Sequence, residues 1–362
     1  MLYRVIGVMS GSSLDGLDIA FVEIHAKSGQ WDFDIVQAET IPYSKKWVEK
    51  LKHSVFLNAR DYLLLHAEYG HFIGQQVSAF IERHSLAYKV ALISSHGHTS
   101  FHLPPNMTAQ LGDGSAIAAE TGLPVITDLR AIDVALGGQG APIVPMGEKI
   151  LWNDYQFFLN LGGIANISVN LPSNYVAYDV CPANRILNLI AAKQGLAYDD
   201  GGAIAESGTI DRKVLSTINN LHYYGEGYPK SLANDFGTDT VFPILEEAQL
   251  TNENALSTYT EHIAVQVASE VEKHLPALAL PKTKILVTGG GAFNHFLVER
   301  LRYYLEPMRV EVEIPEASLI NYKEALIMAL LGVLRWRDEP TSMSSVTGAS
   351  RDGIGGAIWS GV

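Results

Sequence analysis

The stretch Val5–Ile24, V-I-G-V-M-S-G-S-S-L-D-G-L-D-I-A-F-V-E-I, sets a short apolar run against a small polar turn, after which the apolar run resumes. That pattern predicts a strand, a loop and a second strand. In the loop, Ser10, Gly11, Ser12 and Ser13 have small side chains that leave backbone N–H groups and hydroxyls open to an anion. Asp15 and Asp18 follow at once, with Leu14, Gly16 and Leu17 between and beside them. Carboxylates next to a phosphate would repel it unless a divalent cation lay between, so the local chemistry points to metal-bound nucleotide. An ordinary Gly/Ser hairpin with solvated aspartates is the alternative that the turn alone leaves open.

The chain around this hairpin has 362 residues, more than one hydrophobic core usually organises, so two domains are expected. Its hydrophobic content of 47% is ample for both. A net charge of −13 argues against non-specific binding to nucleic acid or to an acidic membrane, since both need a basic surface. The single cysteine, Cys181, excludes an intrachain disulfide and agrees with a reducing compartment. No run of about 18 apolar residues is expected to span a membrane, and Met1–Arg4 leads straight into the first strand without a signal-type segment. These features predict a soluble, cytoplasmic protein.

Working outward, 31–40 reads as a third strand and 44–56 as a polar helix or loop. Residues 59–84 have helical spacing, with Leu63, Leu64, Ala67, Phe72, Ile73, Val77, Phe80 and Ile81 as the buried candidates. A buried strand at 90–94 is expected to end in the polar loop Ser95-His96-Gly97-His98-Thr99, where α/β proteins usually place ligand contacts. His96, His98 and His102 can be read as metal ligands, but substrate hydrogen bonding or packing fits as well. Gly112-Asp113-Gly114 opens a helix, and 123–127 is another strand. Arg130 then precedes the cluster Gly137-Gly138-Gln139-Gly140, which suggests close backbone approach to a ligand or a hinge. An exposed salt bridge is the plain alternative for Arg130.

Near Tyr155 the architecture restarts. Residues 157–169, F-F-L-N-L-G-G-I-A-N-I-S-V, repeat the theme of apolar run, glycine turn (Gly162, Gly163) and apolar run, and a third strand follows at 175–180. Two halves with one three-strand theme suggest a duplicated α/β unit. That third strand carries Asp179 at its end, a suitable place for a general base, although a cap or loop aspartate is the commoner outcome for an arbitrary Asp. Pro229-Lys230-Ser231 is an isolated basic and hydroxyl pair, and 253–275 a long amphipathic helix. A strand at 284–288 then runs into Gly289-Gly290-Gly291-Ala292-Phe293-Asn294 and a helix, where glycines admit a ring or phosphate to the backbone. Glu324 is a lone carboxylate on a final apolar helix, 322–336.

Together these stretches resemble the anhydro-N-acetylmuramic acid kinases of the sugar kinase, Hsp70 and actin superfamily. The matching pieces are G-V-M-S-G-S-S-L-D-G-L-D from Gly7, S-H-G-H-T from Ser95, D-L-R-A-I-D-V-A-L-G-G-Q-G-A-P-I-V-P from Asp128, L-N-L-G-G-I-A-N-I-S from Leu159, Y-D-V-C-P-A-N from Tyr178, P-K-S from Pro229 and V-T-G-G-G-A-F-N from Val287. The resemblance implies an α/β protein of two ribonuclease-H-like (actin-like ATPase) domains, drawn here as 1–130 and 131–362, with a cleft between them and the last helix able to return to the first domain. It implies ATP and Mg²⁺, a cytoplasmic homodimer, and an amino-sugar substrate, 1,6-anhydro-N-acetylmuramic acid of peptidoglycan recycling. Water would open the anhydro bridge and O6 would take the γ-phosphoryl group. Asp179 matches the general base. Ser10, Gly11, Ser12, Ser13, Leu14, Asp15, Gly16, Leu17 and Asp18 match the phosphate loop, with Asp15 and Asp18 toward the metal. Gly162 and Gly163, with Gly289, Gly290, Gly291 and Asn294, match the nucleotide side, and His96, Arg130 and Glu324 match positions near the sugar.

The chain departs from the family pattern in four places. Cys181-Pro182-Ala183-Asn184 stands where Gly-Pro-Gly-Asn is usual, and Asn188 where an aspartate is usual. Leu232-Ala233-Asn234-Asp235 replaces Thr-Gly-Arg-Glu after Ser231, and Gly201 replaces a second acid after Asp199. Side chains at Cys181 and Ala183 are expected to narrow a ligand's approach. Two other readings follow from these loops: a kinase of the same fold for a different sugar, or a nucleotide-binding paralogue without turnover.

Overall fold

A computed structural model describes residues 1–11, 13–233 and 235–361. The chain divides into two compact units, Met1–Trp152 with Tyr322–Val362, and Asn153–Asn321. The first unit therefore runs past Arg130, the boundary drawn from the sequence, and is completed by the end of the chain.

The first unit opens with the antiparallel strands β1 (Leu2–Ser10), β2 (Gly16–Lys27) and β3 (Gln30–Pro42). Val5 pairs with Val22 and Ser10 with Leu17 at the closed end of the hairpin. Val5, Ile6 and Val8 of β1 are all buried, as a central strand covered on both faces requires. After the helix α1 (Ala59–Arg83), β4 (Leu92–Leu103) pairs in parallel with β1, and β5 (Met107–Leu111) folds back on it. The helix α2 (Gly114–Thr121) leads to β6 (Val125–Thr127), parallel to β4. The sheet order is β3-β2-β1-β4-β6.

Two sequence expectations change here. Ser95–Thr99 is no loop: the strand continues through it to Leu103. The buried face of α1 is carried by Leu65, Tyr69, Ile73, Val77 and Phe80, each three or four residues from the next. Leu63 and Leu64 are 63% and 58% exposed, because they fall outside that stripe.

The second unit repeats the plan. Strands β7 (Phe157–Leu161), β8 (Ile164–Asn170) and β9 (Tyr175–Pro182) form an antiparallel meander, followed by the helix α3 (Asn184–Ala192). The long helix α4 (Asn252–Leu278) buries Leu256, Tyr259, Ile263, Val267 and Val271 in the core. Strand β10 (Thr283–Thr288) then pairs in parallel with β7, and after the helix α5 (His295–Leu305) β11 (Val310–Glu313) pairs in parallel with β10. The order β9-β8-β7-β10-β11 matches the first sheet strand for strand. An antiparallel meander whose first strand takes parallel partners on its far side is the ribonuclease-H-like arrangement, present in both units.

The chain ends in the helix α6 (Ala317–Trp336) and β12 (Ala357–Trp359), which pairs antiparallel with β6. By length and composition α6 is apolar enough to cross a membrane, contrary to the expectation from the sequence. Ala325–Leu331 are instead fully buried within the protein, as in a core helix. Gly7 explains how closely it packs: a Cβ there would stand 1.8 Å from the Ala325 carbonyl oxygen.

Candidate active site

In the first unit the residues around the β1–β2 hairpin form one charged group. Asp15 Oδ1 accepts from Ser13 Oγ at 2.6 Å and from the Gly16 amide at 3.1 Å. Leu14 holds a left-handed φ of +58°, a strained position for a side chain and so a sign that the tip is set by more than a relaxed turn. Ser12 lies outside the described residues. Ser10 is buried and accepts from Tyr43 at 2.7 Å, while its oxygen lies 3.2 Å from His98 Nδ1. Tyr43 in turn bonds Tyr69, so the start of the hairpin is tied to α1.

Asp18, on β2, accepts from Thr40 at 2.6 Å. Burial raises its carboxyl to about 6 despite that bond, and Asp15 and Glu324 add to the rise. Glu324 reaches this group because the close seat of α6 on Gly7 sets the preceding residue beside the hairpin. One side of Glu324 is open to solvent while protein encloses the rest, and this desolvation raises its carboxyl; Lys323 and Arg130 pull it back.

His96 and Arg130 are bonded to each other. His96 Nδ1 donates to the Gly97 carbonyl at 2.8 Å, so Nε2 carries the lone pair that accepts Arg130 Nε at 2.8 Å. Burial, with Arg130 beside it, lowers His96 to about 3 and keeps it neutral. Arg130 also donates to the Gly140 carbonyl at 2.7 Å, and is therefore not the exposed salt bridge weighed above. The glycine cluster has a packing reason: the Gly140 amide donates to the buried Asp133 at 2.7 Å, and a Cβ at Gly138 would sit 2.3 Å from that carboxylate. A histidine metal site is not formed. His96 and His98 are committed to Arg130 and Ser10, and among the described residues no group of three or more metal-ligating side chains occurs.

In the second unit Asp179 is the centre. Its carboxylate accepts from Asn166 on the adjacent strand, from Ser231 Oγ at 3.0 Å and from the Leu232 amide at 2.8 Å. Its own carbonyl accepts from Tyr223 at 2.6 Å. A carboxylate offers about four acceptor positions, so three protein donors orient it and leave room for one more. The cap reading of Asp179 does not apply, since its partners come from distant segments.

The glycine turns divide by what surrounds them. Gly289 has φ +80°, and a Cβ there would meet Asn160 Oδ1 at 2.5 Å; one at Gly291 would meet Leu161 Cβ at 2.6 Å. Packing alone accounts for these two. Gly290, Gly162 and Gly163 have nothing nearer than 3.5 Å, so their backbone is open to a ligand. Carbonyls of Gly162 and Gly163 also accept the first amides of α3. Asn294 is the N-cap of α5, accepting from the Leu297 amide at 2.9 Å. Cys181 and Ala183 are fully buried in the core and do not narrow any approach, which corrects that expectation.

The sequence reading missed Asn166, Tyr223 and Tyr43. A polar Asn inside the apolar run of β8 was a signal for the first. The others required the fold, because their partners lie 33 and 44 residues away.

Comparison with known proteins adds the following. A sequence model of the family described as anhydro-N-acetylmuramic acid kinase matches residues 3–361. The anhydro-N-acetylmuramic acid kinase of Cyanothece sp. (strain PCC 7425 / ATCC 29141) is 33% identical over 384 residues, covering 98% of this chain and 99% of that protein. That of Aliivibrio fischeri (strain ATCC 700601 / ES114) is 32% identical over 373 residues, with the same coverage. Among solved structures, component A of the Acidaminococcus fermentans (R)-2-hydroxyglutaryl-CoA dehydratase aligns over 91% of this chain and 97% of its own, at 16% identity and a TM-score of 0.46.

Proposed function

This chain belongs to the anhydro-N-acetylmuramic acid kinase family, and we propose that Asp179 is the general base of its reaction. It is an ATP-dependent sugar kinase that opens 1,6-anhydro-N-acetylmuramic acid with water and phosphorylates O6, giving N-acetylmuramic acid 6-phosphate and ADP in peptidoglycan recycling. Asp179 takes the proton of the attacking water as its oxygen bonds to the anomeric carbon. The bond from that carbon to O6 breaks, and O6 then displaces ADP from the γ-phosphorus. What supports the assignment is the carboxylate itself, fixed by Asn166, Ser231 and Leu232 with one acceptor position remaining.

The other roles follow the chemistry of each group. Ser10–Asp18 hold the phosphates, and the open backbone of Gly162, Gly163 and Gly290 receives the nucleoside, with Gly289, Gly291 and Asn294 shaping that loop. Arg130 and Glu324 bind the sugar, and His96 acts behind Arg130. Neutral His96, with its Nε2 filled by Arg130, orients the guanidinium instead of moving a proton. Mg²⁺ fits Asp15 and Asp18: burial penalises the charge on Asp18, a cation relieves that penalty, and Mg²⁺ needs only one or two carboxylates beside phosphate and water. Held there, it would supply positive charge against the phosphate oxygens. We place the enzyme in the cytoplasm as a homodimer.

The test is to incubate the purified protein with ATP, Mg²⁺ and 1,6-anhydro-N-acetylmuramic acid, with hexoses and N-acetylhexosamines in parallel. Sugar-dependent ADP with the anhydro sugar alone, and a product mass equal to substrate plus water plus the phosphoryl group, is expected. Turnover only with another sugar would move the substrate assignment.

A further inference from the structure

Two of the three donors to the Asp179 carboxylate, Ser231 Oγ and the Leu232 amide, sit next to one buried ion pair. The segment from Glu226 to Ala233 has no helix or strand to fix it, yet it supplies Ser231 Oγ and the Leu232 amide to the carboxylate. Its anchor is Lys230, one residue before Ser231. The Lys230 side chain is 1% exposed, and its ammonium donates to Glu270 Oε1 on α4 at 2.8 Å. The same ammonium lies 4.7 Å over the ring of Tyr223, whose hydroxyl holds the Asp179 carbonyl, and 5.7 Å over Tyr178. Tyr178 closes the circle by donating to Glu270 Oε2 at 3.0 Å, and Lys273 adds a second ammonium at 2.9 Å.

We propose that Lys230 and Glu270 are positioning residues for the sugar-kinase reaction: the buried pair pins the Ser231–Leu232 donors and the Tyr223 hydroxyl, and so fixes the direction of the Asp179 carboxylate. The inference rests on Asp179 being the base. A buried ion pair is a poor source of net stability, because removing two charges from water offsets much of their attraction. What it supplies is a single geometry. An apolar pair of equal volume would fill the same space without specifying where Ser231 points. Misplacing a reacting group by about 1 Å costs on the order of 10²-fold in rate.

The experiment compares kcat, the KM values for ATP and for anhydro sugar, and the thermal midpoint in Glu270→Gln, in the double variant Lys230→Met with Glu270→Met, and in Asp179→Asn. Glu270→Gln is expected to lower kcat by about 10- to 100-fold while the KM for ATP moves by less than about twofold. The double variant leaves no unpaired buried charge, so its midpoint should return to that of the wild type or above while kcat stays low. Recovery of kcat along with the midpoint would overturn the inference, as would wild-type kcat in Glu270→Gln. Asp179→Asn separates the two levels: wild-type turnover there removes the base assignment itself, whereas loss of turnover there with wild-type kcat in the pair variants removes only the positioning role. Should the double variant not fold, Glu270→Gln, which keeps the side chain's shape, decides alone.

Discussion

Gly289, Gly290 and Gly291 are three identical residues with different reasons to be glycine. A side chain at 289 would have to hold φ +80° with its Cβ 2.5 Å from Asn160 Oδ1 and 2.9 Å from the Leu161 carbonyl, so substitution meets both backbone strain and overlap. At 290 the nearest atom is 3.7 Å away. Gly289→Ala should therefore cost about 2–4 kcal/mol, seen as a lower thermal midpoint. Gly290→Ala should leave the midpoint near wild type and, on the proposed nucleotide-binding role of this loop, raise the KM for ATP several-fold. Equal midpoints in the two variants would contradict this division. The sequence shows three glycines after a strand and cannot tell them apart, because the difference lies in Asn160 and Leu161, which are more than a hundred positions away. The sequence reading set Asp179 at a strand end, whereas β9 continues past it to Pro182, and its donors Ser231 and Leu232 had no local signal, being 52 and 53 residues distant.

Among the elements, β4 and α4 bury histidines that must stay neutral. Burial lowers His96 to about 3 and His98 to about 4 on β4, and His262 to about 3 on α4, against an ordinary value of 6.5. In each case the unfolded chain binds the proton more readily, so the stability present above pH 6.5 is lost as pH falls through the window toward 4 or 3. The slope approaches about 1.4 kcal/mol per pH unit for each histidine. Asp18 works the other way: its raised value of about 6, against 3.8 unfolded, makes the folded state the better proton binder between those limits and offsets part of one histidine's loss. Thermal midpoints should be flat above pH 7 and fall steeply between pH 6 and 4.5; a flat profile across that range would show these histidines charged in the fold. The existence of both elements could be read from apolar spacing. The continuation of β4 through His96 and His98 could not, because a polar, glycine-containing stretch reads as a loop until β1 and β5 are seen to pair with it.

At the scale of the whole molecule, the repeated theme of run, glycine turn and run was the most legible feature. It corresponds to two sheets of the same strand order. Less legible was the division between them. The first unit recruits Tyr322–Val362, because Gly7 gives α6 its seat on β1 and β6 accepts β12 as an edge partner, and neither pairing has a local signal. Family membership was carried by motifs spread along nearly the full chain, which is why substituted loops around Cys181 did not obscure it. At two of the substituted positions, Cys181 and Ala183, the side chains are fully buried, whereas Leu232, in another substituted loop, gives its amide to the Asp179 carboxylate. The proposed role of this carboxylate, taking the proton of the attacking water, is decided by sugar-dependent ADP release from Asp179→Asn beside the wild type, with ATP binding measured on both. A fall in kcat of about 10²- to 10⁴-fold with ATP affinity little changed is expected; turnover at the wild-type rate would remove Asp179 from that role.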